Sequence, residues 1–288
     1  MKRREVLELV RRAVPDAYTQ DEARAVAFEV AACFCGFTRA QAVADPDAEV
    51  VACDAQQLAE VCRQLAAHVP LQYVTGRTEF YGMPFRVGPG VLIPRPETEE
   101  LVHWIIGECA GMPGLRLLDV GTGSGAIAVV LACRLAGASV DAVDVSREAL
   151  ETAGRNAAEH DAAVRFVPAD ALASDDAFAG ALPHKDYDVI VSNPPYIPRS
   201  EYALMRDNVR VHEPAGALFV EDSDPLLFYR AIGRKARRLL VPGGRLFFEV
   251  HEHRASDVCA LLVGEGYVAV ECRRDMNGKL RMVRCVKC

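Results

Sequence analysis

From residue 96 onward, short apolar runs alternate with helical stretches, and two of those runs end in motifs that few folds accommodate. Leu117-Leu118-Asp119-Val120 empties into Gly121-Thr122-Gly123-Ser124-Gly125, and Tyr187–Ser192 into Asn193-Pro194-Pro195-Tyr196. Candidate strands fall at 116–120, 139–143, 164–167, 187–192, 245–250, 267–272 and 280–286. Candidate helices lie near 97–109, 124–136, 146–159, 225–240 and 254–264. Such alternation predicts an α/β domain, a mostly parallel sheet with helices on both faces. Ligands of that architecture bind beyond the carboxyl ends of the strands. Both motifs sit at such ends and are expected to share one crevice.

The preceding residues read differently. Apolar residues at Val6, Leu7, Leu9 and Val10, then at Ala23, Val26 and Val30, recur near the helical period. Thr19-Gln-Asp-Glu22 has the form of a capping box. Residues 1–72 are therefore expected to form a small helical domain. Residues 73–95 mix aromatic and β-branched residues with turn glycines and are expected to form a linking β-hairpin. Residues 96–288 make up the larger domain. The charged N-terminus lacks an apolar leader, and no apolar run reaches membrane-spanning length, so a cytoplasmic protein without a membrane partner is expected. The net charge of −7 argues against a nucleic-acid-coating protein. Ten scattered cysteines read as reduced thiols. Cys285 and Cys288 have zinc-pair spacing but lack an evident second pair, so no metal is expected.

Glycines 121, 123 and 125 let the backbone approach a ligand closely. Asp144 ends the next strand, about 20 residues on, where an acid takes ribose hydroxyls; its alternative is a helix cap. Asp170 follows the third strand as a candidate acceptor for an adenine amino group, or as an Asx-turn acid. A dinucleotide fingerprint fits the loop only through Ala126, whereas the G-x-G-x-G pattern of methyltransferases fits directly. Asn-Pro-Pro-Tyr decides for S-adenosylmethionine. An amide nitrogen is a poor nucleophile carrying two N–H groups that need acceptors when buried. The Asn193 side-chain oxygen and the Pro194 carbonyl supply two, and Tyr196 is expected to lie against the amide face. The pattern points to methyl transfer to nitrogen.

With these residues in place, the chain resembles the release-factor glutamine methyltransferases (the PrmC/HemK family) over nearly its whole length. The likeness includes Pro70-Leu-Gln-Tyr73, Glu79-Phe-Tyr-Gly82, Ile93-Pro-Arg-Pro-Glu-Thr-Glu99, Asp119–Gly125, Ser192–Tyr196, Glu213-Pro214 and Arg274-Asp-Met-Asn-Gly278. The resemblance implies a Rossmann-like, seven-stranded methyltransferase domain with an antiparallel last strand, behind a helical substrate-recognition domain. It implies methylation of the glutamine in the Gly-Gly-Gln motif of class 1 peptide release factors, by a monomer. By resemblance, Gly121, Thr122, Gly123, Ser124, Gly125, Asp144, Asp170, Ala171 and Asn193 hold the cofactor. Asn193, Pro194, Pro195 and Tyr196, with Arg95 and Glu97, meet the substrate. Ala171 stands where relatives often carry a large residue near the adenine. Glu221–Pro225 and Glu249-Val-His-Glu-His253 depart from the family pattern, and both departures are expected to be peripheral. The alternatives are a ribosomal-protein glutamine methyltransferase, a nucleic-acid adenine methyltransferase, and a catalytically silent docking module.

Overall fold

The computed structural model describes residues 1–288, which divide by their contacts into two units. The first comprises Met1–Arg77 with Arg206–His212. Its helices are α1 (Arg3–Ala13), α2 (Gln20–Cys35), α3 (Arg39–Ala44), α4 (Ala55–Ala66) and α5 (Leu71–Thr75). The Thr19 hydroxyl accepts from the Glu22 N–H at 3.2 Å, and the Glu22 carboxylate accepts from the Thr19 N–H at 2.7 Å. That reciprocal pair satisfies two donors that the start of α2 would otherwise leave open. Val6, Val10, Val26, Val30, Leu58 and Val61 form the buried core of this unit.

One expectation is corrected here. Residues 73–75 belong to α5, not to the hairpin, because Leu71 and Val74 pack on the helical core. The helix ends at Gly76, whose φ of 72° closes it in the left-handed conformation. The contacts of 206–212 also group that segment with the helices, where the sequence division runs 96–288 as one piece. The His212 ring, for instance, hydrogen-bonds to the Ala67 carbonyl at 2.9 Å.

The second unit begins at Thr78, one residue into a hairpin of β1 (Arg77–Phe80) and β2 (Met83–Arg86). Tyr81 and Gly82 at its tip have φ of 54° and 70°, the double left-handed turn that matches strand twist. Then follow α6 (Pro96–Cys109), β3 (Arg116–Val120), α7 (Ala126–Arg134), β4 (Ser139–Asp144), α8 (Arg147–Glu159), β5 (Val164–Pro168), α9 (Asp175–Ala181) and β6 (Tyr187–Ser192). A segment of short elements comes next: β7 (Ile197–Pro198), a 3-10 turn (Arg199–Leu204), α10 (Asp207–Arg210, within the first unit), α11 (Ala215–Leu218) and β8 (Phe219–Val220). The chain ends with α12 (Leu227–Leu239), β9 (Leu240–Glu249), α13 (Ala255–Gly264), β10 (Tyr267–Arg274) and β11 (Leu280–Lys287).

The seven-stranded sheet has the order β10-β11-β9-β6-β3-β4-β5. Its strands run parallel except that β11 is antiparallel to both β9 and β10. Alternation along each strand feeds two cores. Leu117 and Phe247 face the core that contains α6 and α7, while Leu118 and Phe248 face the one that contains α12 and α13. From β3 the chain winds outward through β4 and β5, then returns to pair β6 on the other side of β3. The order therefore reverses at β3 and β6, which is where a parallel sheet opens a crevice at its carboxyl edge. No helix is long and apolar enough to cross a membrane.

Candidate active site

A cleft of about 450 Å³ opens at that edge. Gly121, Gly123, Asp144, Asp170, Ala171, Asn193, Pro194 and Pro195 all line it. The sequence reading thus brought most of its candidates to one place. Thr122 and Ser124 are buried beneath the loop instead, 6% and 3% exposed.

The loop's shape rests on residues the sequence reading did not single out. Asp119 accepts from the Thr122 hydroxyl at 2.6 Å. Asn156 on α8 donates to the Ser124 carbonyl at 2.8 Å, and its oxygen accepts from the Arg86 N–H at 2.8 Å, tying loop to hairpin. Gly125 has φ of 81°, and a Cβ there would sit 2.9 Å from that of Ala153, so α8 packs directly on the loop.

Four of the loop's five backbone donors are already engaged. Gly121 and Thr122 N–H both reach the Val143 carbonyl, at 2.8 and 3.0 Å, and Gly125 N–H reaches the Thr122 carbonyl at 2.9 Å. The Gly123 N–H donates to Asp144 Oδ2 at 2.9 Å. A phosphate-binding loop needs such groups free. The cleft lining also carries three carboxylates, Asp144, Glu148 and Asp170, and no lysine or arginine. This surface suits a cationic sulfonium-and-ammonium cofactor and opposes a pyrophosphate.

Asp144 is not the cap of α8: Ser146 is, accepting from the Ala149 N–H at 3.2 Å. The second Asp144 oxygen accepts from the Ser146 N–H at 2.9 Å, so the carboxylate spans the loop and the helix start. Asp144→Ala is expected to raise the cofactor Kd by about ten- to a hundredfold, through loss of charge-assisted hydrogen bonds. Titration calorimetry with the purified protein measures this, and an unchanged Kd would assign Asp144 to loop geometry alone. Asp170 holds an Asx turn, accepting from the Leu172 N–H at 2.8 Å, while still lining the cleft.

Arg95 and Glu97 do not line this cleft. Arg95 donates to the buried Glu213 carboxylate at 2.5 Å, and the other Glu213 oxygen accepts from the Ile93 N–H at 3.1 Å. The pair fixes the segment that precedes α6. Glu221 is peripheral as expected, paired with Arg199 on the surface. The same expectation fails for Glu249, which is 1% exposed at the end of β9. Its Oε2 accepts from the Thr98 hydroxyl at 2.5 Å and its Oε1 from the Tyr196 hydroxyl at 3.0 Å. Asn193 Nδ2 donates to Thr98 Oγ1 at 3.2 Å. Tyr196 is thereby drawn inward, its ring edge-on to His251 at 6.0 Å. Burial pushes the Glu249 carboxyl up from its usual range, against the pull of its two hydroxyl donors and the nearby Arg281 guanidinium. The one sequence signal for Glu249 was a lone acid closing the run Leu246-Phe-Phe248.

Two family descriptions match the chain: PrmC N-terminal domain over residues 5–76 and Methyltransferase small domain over residues 108–222. A release factor glutamine methyltransferase of Bacteroides thetaiotaomicron is 40% identical, covering 95% of this chain and 96% of its own. One from Flavobacterium psychrophilum is 38% identical, covering 94% of each. Among solved structures, a methyltransferase from Pyrococcus furiosus superposes with a TM-score of 0.52 at 21% identity, over 72% of this chain and 90% of its own, which speaks to fold alone. Identity of this level along almost the full length of both sequences leaves one assignment: the chain belongs to the release factor glutamine methyltransferase family.

Proposed function

We propose that this protein transfers a methyl group from S-adenosylmethionine to the side-chain nitrogen (N5) of the glutamine in the Gly-Gly-Gln motif of class 1 release factors. The observation that carries the reading is the convergence of Asn193, Pro194 and the Asp144-bound glycine loop on one carboxylate-lined cleft. When bound, the cofactor supplies an electrophilic methyl on a sulfonium. The protein's part is positional. Asn193 Oδ1 and the Pro194 carbonyl accept the two amide N–H groups, which sets the amide plane and turns the nitrogen lone pair toward the methyl. Those acceptors also hold the nitrogen's protons as it becomes cationic, and one proton then leaves to water. No strong general base is needed early, so proximity and fixed dipoles supply most of the rate. Apolar walls, Val120 and Phe228 among them, line the rest of the cleft.

The helical N-terminal domain is assigned to gripping the release factor away from the reacting loop, since a Gly-Gly-Gln tip offers little area for recognition. The enzyme is read as a cytoplasmic monomer with no nucleic-acid partner. Incubation with methyl-labelled S-adenosylmethionine and a class 1 release factor is expected to label wild-type factor and spare one with Gln→Ala in the Gly-Gly-Gln motif. The KM for intact factor is expected to lie below that for a Gly-Gly-Gln peptide. Label on neither factor would overturn the substrate assignment and move the search to ribosomal protein.

A further inference from the structure

Between Asn193 and Glu249 runs a buried polar chain that no step above uses. Thr98, 5% exposed, sits in the first turn of α6 and touches both. A hydroxyl has one proton and two lone pairs. The Thr98 proton is committed to Glu249 Oε2 at 2.5 Å, the short distance of a hydrogen bond to a carboxylate. Thr98 Oγ1 therefore has only acceptor capacity left for Asn193, and it takes the Nδ2 group at 3.2 Å. That choice dictates the rest of the amide, because Nδ2 toward Thr98 turns Oδ1 away from it. On the opposite side of Glu249, Oε1 holds the Tyr196 hydroxyl at 3.0 Å. One carboxylate thus governs both ends of Asn193-Pro-Pro-Tyr196.

We propose that Thr98 and Glu249 are positioning residues that fix which end of the Asn193 amide faces the substrate and hold Tyr196 in place behind it. The proposal rests on the reading of Asn193 as the acceptor for the substrate amide. With the order reversed, Asn193 would present N–H groups to the N–H groups of the incoming glutamine, and the clamp would repel what it is meant to hold. Glu249 sets the order because, as a carboxylate, it can only accept. A carboxamide at 249 would offer one acceptor and one donor to two hydroxyls that both donate now, so one of them would have to turn. Burial, and after it the Glu97 charge, oppose the carboxylate form, while the Thr98 and Tyr196 hydroxyl donors and the Arg281 guanidinium on β11 favour it.

Three substitutions in the full-length enzyme test this. Thr98→Val keeps the shape and removes the hydroxyl; kcat is expected to fall about tenfold or more, the size of one misplaced hydrogen bond at the reacting group. Thr98→Ser restores the hydroxyl and should keep kcat within about threefold of wild type. Glu249→Gln should lower kcat like Thr98→Val, and provides the second variant if Thr98→Val fails to fold. For all three the cofactor Kd is expected to stay within about twofold, because neither residue lines the cleft. Asn193→Ala is run beside them. If it lowers kcat by about 10²- to 10³-fold while Thr98→Val and Glu249→Gln match wild type, the positioning role is overturned and the clamp survives. If Asn193→Ala itself turns over normally, the clamp falls first. Equal losses in Thr98→Val and Thr98→Ser would also overturn the proposal, since packing and not the hydroxyl would be at stake.

Discussion

Replacing Asn193 by alanine is expected to lower kcat by about 10²- to 10³-fold, the cost of deleting one fixed dipole aimed at the reacting group. The cofactor Kd should change by no more than a few-fold, since Asp144 and the glycine loop are untouched. The separation follows from where Asn193 stands. Its backbone continues directly from β6, whose Val191 and Ser192 are paired with Phe247 and Phe248 of β9, so truncating the side chain does not move the strand end. Pro194 keeps its carbonyl, so one of the two substrate acceptors remains and residual turnover is expected. What disappears is the acceptor that distinguishes a clamped amide plane from a rotating one. Leaving the Thr98 lone pair without its Asn193 donor should cost about 1 kcal/mol of stability, too little to unfold a domain of this size. Single-turnover labelling at saturating cofactor, with calorimetry for the Kd, gives both numbers. A kcat within about threefold of wild type would refute the clamp.

The parts of this site that were legible in the sequence are the parts encoded locally. A strand followed at once by glycines with positive φ, or by two prolines, announces its own geometry, and Gly121, Gly123, Asn193 and Pro194 meet in the cleft accordingly. The alternation of the large unit was equally local, and six of the seven strands lie within about two residues of the apolar runs, while β9 starts at Leu240, five residues before the expected 245. The support for the site was not legible, because it is made by pairings distant in sequence. Thr98 reaches Glu249 across 151 positions and Arg95 reaches Glu213 across 118. In the sequence Thr98 belongs to the motif Ile93–Glu99 with no role attached to it, and Glu249 opens a segment that departs from the family pattern. Arg95 carries a family role toward substrate, and what its place in the sequence does not show is that its guanidinium is also held by the buried Glu213 carboxylate, which ties down the segment before α6. The run 197–220 has no sustained period because its elements are only two to six residues long. Short pieces leave no amphipathic signature to read.

Stability of the cofactor-free protein should fall as pH rises from about 4 to about 7, and Asp119 should be the main reason. Its carboxyl is fully buried at the end of β3 and is pushed up to about 7, first by burial and then by the neighbouring charge of Asp144. Thr122 donates to Oδ2 and the Ala128 N–H adds a weaker pull, while Oδ1 has no hydrogen bond of good geometry. In the unfolded chain the same group titrates near 3.9. Below that value it is protonated in both states and the folded state carries no penalty. Between about 4 and about 7 the folded state holds a proton that the unfolded state has released, so stability declines steadily with pH, by at most about 4 kcal/mol over the window. Above about 7 the loss is complete and the curve flattens. Glu249, also pushed up by burial, adds in the same sense and is common to wild type and the variant below, while carboxylates held low by arginines or backbone donors, such as Asp175 and Glu22, act in the opposite sense at the acid end of the window and below it. Asp119→Asn removes the titration while keeping an oxygen for the Thr122 hydroxyl, so its curve should be flatter, and the difference from wild type isolates this group from the histidines that both proteins share. Urea denaturation of the two proteins from pH 4.5 to 8 measures the slopes, and parallel curves would show Asp119 ionised throughout. Of the two acids, Asp144 is the one that faces the cleft, so the Asp119→Asn substitution leaves the cleft lining itself unchanged.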